Sequence, residues 1–294
     1  MRTQSPDTSP EAERTLIERI RQAPVSRRFR LVQSLSQRRL SGQALEHDSQ
    51  AEAIHAITSG YGQRIGQRVQ DALADRPRWQ EHPVDLTATL LPVMQALHEE
   101  GISSYIGGSI ASSIHGMQQS ASDIDLVLMR QEHGFLSLGA ALATLQDQYL
   151  VEPGEIAQGL RAETSLSVVH VKTLMKIDLI VPQTPGFDEA MQAKVAPLLI
   201  DERYVPLPLA SALEMVAWKL ARCAKELARS SDGAINDAEW NDVLGILKVQ
   251  GSVLDIAQLR YWTQVLNAGH LLALALDDAD LSPSEKAFPH LLAG

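Results

Sequence analysis

Apolar side chains recur at helical spacing toward both ends of the chain and alternate at strand spacing in its middle. Leu16, Ile17 and Ile20 share one face of a helix predicted over residues 10–22. Ser9 is placed to cap that helix, and Pro10 takes the favourable first helical position. Further helices are predicted over 25–40 and 50–75, broken at Ser41-Gly42 and Ser59-Gly60. Pro77 to Pro83 reads as a linker. Leu86, Leu90, Val93, Met94 and Leu97 then mark a helix over 86–100, which Pro92 kinks or delays and Gly101 ends.

The period changes after Gly101. Ser104-Tyr105-Ile106 is a short strand running into Gly107-Gly108-Ser109, and a small-residue helix follows to about His115. Strands are predicted at 124–129, 166–171 and 176–181, with a turn near Thr173 and a helix over 134–148. From Pro208 the helical period returns over 208–229, 237–249, 255–267 and 269–277, with Asp232-Gly233 between the first two. The expected fold is therefore α/β, a mixed sheet core flanked by N-terminal and C-terminal helical domains. Its expected division is a disordered tail at 1–9, a helical domain at 10–83, a catalytic core at 84–206 and a second helical domain at 207–294.

Composition narrows this picture. With 294 residues, 45% of them hydrophobic, the chain can bury a sizeable core. The net charge of −10 is uneven: residues 1–45 carry nine arginines against four acids. A broad DNA-coating role is disfavoured, because the rest of the chain repels polyanions. Cys223 is the single cysteine and sits in a helical pattern, so a buried structural thiol is expected rather than a disulfide or thiolate cage. No apolar run is long enough to span a membrane and no signal-peptide core is visible, so no membrane partner and a cytoplasmic location are expected.

The chemistry concentrates in the middle. In a strand, Asp123 and Asp125 project to one face while Ile124 and Leu126 point to the other. Two adjacent carboxylates repel unless a cation lies between them, and hard oxygen donors suit Mg²⁺ or Mn²⁺. Asp178, in the apolar run Lys176-Ile-Asp-Leu-Ile-Val, adds a third carboxylate if its strand pairs beside the first. Gly107 and Gly108 allow close backbone approach, and Ser109 opens a helix whose free N–H groups favour an anion. Lys176 shares a strand face with Asp178 and either neutralises the acids or touches phosphate.

Gly107-Gly108-Ser109, thirteen residues, then Asp123-Ile-Asp125-Leu resembles the signature of the polymerase-beta-type nucleotidyltransferase superfamily, with Asp178 matching its third carboxylate. The stretch from His170 to Asp178 and the segments 214–220 and 240–251 are similar to small prokaryotic members related to abortive-infection type E toxins. The resemblance implies Asp123, Asp125 and Asp178 as catalytic metal ligands. It implies Gly107, Gly108, Ser109, Lys176 and Lys219 as contacts to a nucleoside triphosphate, with Asp242 supporting the site. The implied reaction moves a nucleoside monophosphate from an NTP to a hydroxyl on RNA, protein or a small molecule. Two alternatives follow from the same likeness: a toxin acting on RNA or protein and held by an antitoxin partner, or a non-catalytic nucleotide- or protein-binding member. The segment Gln118-Gln119-Ser120-Ala121-Ser122 departs from the basic stretch often found there in such relatives.

The remaining polar features have plainer expectations. His170 reads as a core histidine and His115 as a helix-end contact. Arginines 27, 28, 30, 38 and 39 read as a solvated helix face. Asp277, Asp278 and Asp280 read as a solvated tail rather than a calcium loop.

Overall fold

The structure is a computed structural model that describes residues 2–3, 7–45, 49–61, 63–73, 85–129, 137–151, 166–198, 206–229, 235–251 and 253–281. The expected linker at 77–83 and the Asp232-Gly233 break lie outside these residues. The chain contains a mixed β-sheet core and flanking helices, grouped into two compact units that interleave in sequence. One unit comprises residues 30–106 and 119–189; the other comprises 1–29, 107–118 and 190–294.

The first unit carries five strands in the order β3-β4-β5-β2-β1. They are β1 (Ser104–Ile106), β2 (Asp123–Leu128), β3 (Tyr149–Leu150), β4 (Leu166–His170) and β5 (Lys176–Ile180). The β2–β5 pair is parallel; β1–β2, β3–β4 and β4–β5 are antiparallel. Alternation fixes the faces. Ile124, Leu126, Leu128, Ile177 and Leu179 are fully buried, whereas Asp123, Asp125, Lys176 and Asp178 are half-buried. Helix α5 (Leu86–Glu99), capped by Asp85 Oδ1 accepting from the Ala88 N–H at 3.0 Å, buries Leu90, Val93 and Leu97 and packs on β1 and on α7 (Leu138–Ala143). The Tyr149 hydroxyl donates to the Thr89 carbonyl at 2.6 Å and ties β3 to α5.

His170, at the end of β4, meets its core expectation. Its Nδ1 lies 2.8 Å from Thr173 Oγ1, and burial, aided by Lys172, pushes its pKa from the usual 6.5 down to about 4. The imidazole is thus neutral when folded but takes a proton below pH 6.5 when unfolded, so stability rises with pH between 4 and 6.5 and falls as pH drops through that window. Replacing His170 with Gln is expected to flatten the slope of unfolding free energy against pH there by up to ~1.4 kcal/mol per pH unit, measured by denaturant titration at several pH values.

The second unit is mainly helical. Helix α1 (Pro10–Gln22) is capped by Ser9 as expected, with Ser9 Oγ accepting from the Ala12 N–H at 3.2 Å. Its Ile17 and Ile20 pack with Val249 and Met117. Arg21 donates to the Lys248 and Val249 carbonyls at 2.6 and 3.1 Å, satisfying a helix C-terminus. Helix α6 (Gly108–His115) packs on α9 (Ala212–Arg229) and α10 (Asp237–Gln250). At its end, a Cβ on Gly116 would lie 2.7 Å from the Ile246 nitrogen and 2.8 Å from the Gly245 carbonyl carbon. These are backbone atoms that cannot rotate away, so Gly116→Ala is expected to cost about 1–3 kcal/mol in denaturant unfolding.

Several boundaries differ from the pattern-based expectations. Helix α2 (Val25–Leu45) runs through Ser41-Gly42, since one interior glycine costs a helix only about 1 kcal/mol. Helix α3 (Gln50–Thr58) and α4 (Gln63–Leu73) do break at Ser59-Gly60. Helix α7 is shorter than the predicted 134–148, of which 134–136 lie outside the described residues. Leu207–Leu209 is a strand, β7, paired with β6 (Ala196–Leu198), where a helix from 208 is predicted. The helix starts at Ala212 instead, with Ser211 Oγ accepting from the Glu214 N–H at 3.1 Å. Helix α8 (Pro185–Gln192) is absent from the sequence reading. Helices α11 (Ile256–Val265) and α12 (Gly269–Asp278) follow their patterns closely.

Candidate functional site

The parallel β2–β5 ladder sets Asp123 opposite Lys176 and Asp125 opposite Asp178. Since residues two apart in a strand share a face, these four side chains form one patch on the face turned away from Ile124 and Ile177. Three carboxylates against one ammonium leave a formal excess of two negative charges. Opposed like charges such as Asp125 and Asp178 are unfavourable alone, so the patch demands a cation.

Lys176 supplies one. Its Nζ lies 2.5 Å from Asp178 Oδ2 and 3.4 Å from Asp123 Oδ2. Burial works against the ammonium, but Asp178 and Asp123 outweigh it and hold the lysine pKa above its ordinary value. Ser167 of β4, opposite Asp178, donates to Asp178 Oδ1 at 2.5 Å, so both carboxylate oxygens of Asp178 are engaged. Ser122 Oγ reaches Asp123 Oδ1 at 3.4 Å. Tyr61 stands over the patch, with its ring centroid 5.7 Å from Lys176 Nζ and its hydroxyl donating to the Leu174 carbonyl at 2.6 Å. Burial and the Asp123 charge push the Tyr61 phenol strongly up, so it stays neutral. The segment before β2 is pinned to α2, because the Ala121 N–H donates to Ser36 Oγ at 2.8 Å.

Asp123, Asp125, Lys176 and Asp178 are thus brought together as expected, and Gly107, Gly108, Ser109 and Lys219 belong to the other unit. There, Gly107 caps α6 through its backbone, and Gly108 has φ +54°, a conformation that glycine alone adopts without strain. Ser109 Oγ is buried and has no hydrogen-bond partner among the described residues. Lys219 is buried in α9, with its Nζ 2.8 Å from Glu239 Oε2 and 2.7 Å from Asp242 Oδ2. Burial alone would lower its pKa, yet Asp242 and Glu239 raise it. Arg222 adds a contact of 3.2 Å to Glu239 and stacks 5.1 Å from the Trp218 ring.

Sequence reasoning missed Ser167, Ser122, Tyr61 and Glu239. Glu239 had a signal, being three residues before Asp242 on one helix face. Tyr61 had none, since its approach to Lys176 depends on tertiary packing. The other expectations resolve simply. Cys223 is buried, and burial pushes its thiol up to about 11. Burial holds the His115 pKa below its ordinary value, and its Nε2 contacts the Ala210 carbonyl at 2.7 Å. Arg28 departs from the solvated face, donating to the Ile114 carbonyl at 2.7 Å, whereas Arg27, Arg30, Arg38 and Arg39 are exposed.

Among the described residues, no group of three or more His, Cys, Asp or Glu side chains is arranged to hold a metal ion. The Lys176 ammonium instead contacts two of the three aspartates. No described helix is long and apolar enough to cross a membrane. No protein-family model matches the chain, and no curated protein matches it. Among solved structures, the chain is similar to the crystal structure of an antigenic nucleotidyltransferase-like protein from Paracoccidioides brasiliensis. The two share 14% identity with a TM-score of 0.39 over 65% of this chain and 91% of the other.

Proposed function

We propose that the chain is a metal-dependent nucleotidyltransferase that moves a nucleoside monophosphate from an NTP to a hydroxyl acceptor and releases pyrophosphate. The observation that carries this reading is the in-register parallel pairing of Asp125 with Asp178, beside Asp123, on one half-buried sheet face. The donor chemistry fits Mg²⁺ or Mn²⁺, because all three side chains offer hard oxygens on one sheet face. When bound, such a cation would neutralise charge on the triphosphate and acidify the acceptor hydroxyl.

The protein's own groups then have distinct tasks. Asp123 and Asp125 would hold the cation. Asp178, aimed by Ser167, serves as a further ligand and takes the acceptor's proton. The acceptor oxygen bonds to the α-phosphorus as the bond to the pyrophosphate oxygen breaks. Gly107, Gly108 and Ser109, whose hydroxyl has no partner among the described residues, would offer donors to phosphate oxygens at the start of α6. Catalysis of this kind is positioning and charge neutralisation.

One observation favours a second reading. Lys176 already compensates Asp123 and Asp178, as expected of a binding member of the fold that performs no transfer. Incubation with NTPs labelled at the α-phosphate, Mg²⁺ and a cell extract separates the two. Transfer of label to RNA, protein or a small molecule by the wild type, and not by Asp123→Asn/Asp125→Asn, supports the enzyme. Nucleotide binding by calorimetry without labelled product or pyrophosphate supports the binding member.

A further inference from the structure

We propose that Lys176 is a displaceable internal counter-ion: it holds the place of the divalent cation on the aspartate face, leaves when the metal binds, and then turns to the nucleotide phosphates. This inference rests on the metal-dependent reading above and adds to it the device that couples metal binding to nucleotide binding.

The geometry is particular. Lys176 is not paired with one carboxylate but bridges two, at 2.5 and 3.4 Å, on strands whose pairing sets it directly opposite Asp123. Its side chain is 12% exposed, so the bridge is largely sheltered from solvent. A divalent cation held by these carboxylates would lie close to the ammonium, and the two like charges would repel strongly in a half-buried site. Both therefore cannot occupy the bridge.

The side chain is also built to leave. A lysine has a flexible four-carbon stem and a point charge, so it can change rotamer without moving β5. Its surroundings provide for both states. Ser167 keeps Asp178 oriented through Oδ1 while Oδ2 changes partner, and the Tyr61 ring, fixed through its hydroxyl to the Leu174 carbonyl, offers the departing ammonium an aromatic face. Without metal, the lysine suppresses repulsion between Asp123 and Asp178 and keeps the face formed. With metal and triphosphate present, the released ammonium is a ready phosphate ligand.

The test uses Mn²⁺ alone, with free Mn²⁺ read by electron paramagnetic resonance on the full chain and without turnover. Lys176→Met is expected to bind Mn²⁺ about tenfold or more tightly than the wild type, because the competing charge is gone. The same variant is expected to bind a non-hydrolysable Mg²⁺–NTP analogue more weakly than its Mn²⁺ affinity would dictate. Lys176→Gln, which retains a hydrogen-bond donor to the aspartates, serves if the methionine variant does not fold, and is expected to shift Mn²⁺ affinity in the same direction. In wild-type protein labelled with ¹⁵N-lysine, Mg²⁺ should move the Lys176 ammonium resonance. Equal or weaker Mn²⁺ binding in the lysine variants, with binding still lost in Asp123→Asn/Asp125→Asn, overturns this inference and leaves the metal site standing. No aspartate-dependent Mn²⁺ binding in any of these proteins overturns both.

Discussion

Asp125→Asn is expected to lower nucleotidyl transfer by at least about a hundredfold, the scale of removing one preorganised electrostatic partner from a transition state. Its unfolding midpoint should stay close to that of the wild type. The two halves of this expectation come from one geometric fact: Asp125 faces Asp178 across a parallel ladder. Opposed like charges do not stabilise a sheet, and the asparagine keeps the side chain's shape and size. The backbone ladder and the buried Ile124 and Leu126 beside it are untouched. Transfer of label to the acceptor and thermal unfolding of the same preparations measure the two effects. Loss of activity together with loss of fold would mean that Asp125 is structural.

Lys219→Met is expected to destabilise its unit by about 3–5 kcal/mol in denaturant unfolding, the usual result of leaving buried charges without their partner. The methionine nearly fills the lysine's volume, so the cost is electrostatic. Glu239 and Asp242 would be left side by side without their shared ammonium, while Arg222 still reaches Glu239 at 3.2 Å. Because the folded lysine pKa is raised, this contribution is present below the unfolded value of about 10.4 and is lost only as pH rises through the higher folded one. Stability differences between the variant and the wild type should therefore be flat across neutral pH. The combined replacement Lys219→Met/Glu239→Gln/Asp242→Asn should recover much of the loss, since removing a whole buried ion cluster costs less than orphaning part of it. A lysine whose task is to grip the triphosphate behaves differently: its removal raises KM and leaves unfolding almost unchanged.

The sequence made some of this legible for a physical reason. Alternation has a period of two, so placing Asp123 and Asp125 on one face needed only local pattern. The same holds for Asp178 and Lys176 on β5. What local pattern does not encode is register between segments some fifty residues apart, and that register decides that Asp125 meets Asp178 and Asp123 meets Lys176. Ser167 and Tyr61 were illegible for the same reason, since each reaches the patch from another element. Strands as short as β3, β6 and β7 give too few residues for any period to emerge. The Ser211–Glu214 cap, by contrast, was readable, and it marks the helix start better than the apolar spacing from Pro208.

The most direct measurement is anomalous diffraction from crystals soaked with Mn²⁺ and a non-hydrolysable NTP analogue. A manganese peak is expected in direct contact with carboxylate oxygens of Asp123 and Asp125, with Lys176 Nζ withdrawn from Asp178. Crystals that bind the analogue but show no metal at these aspartates, with Lys176 still bridging Asp123 and Asp178, would contradict the assignment.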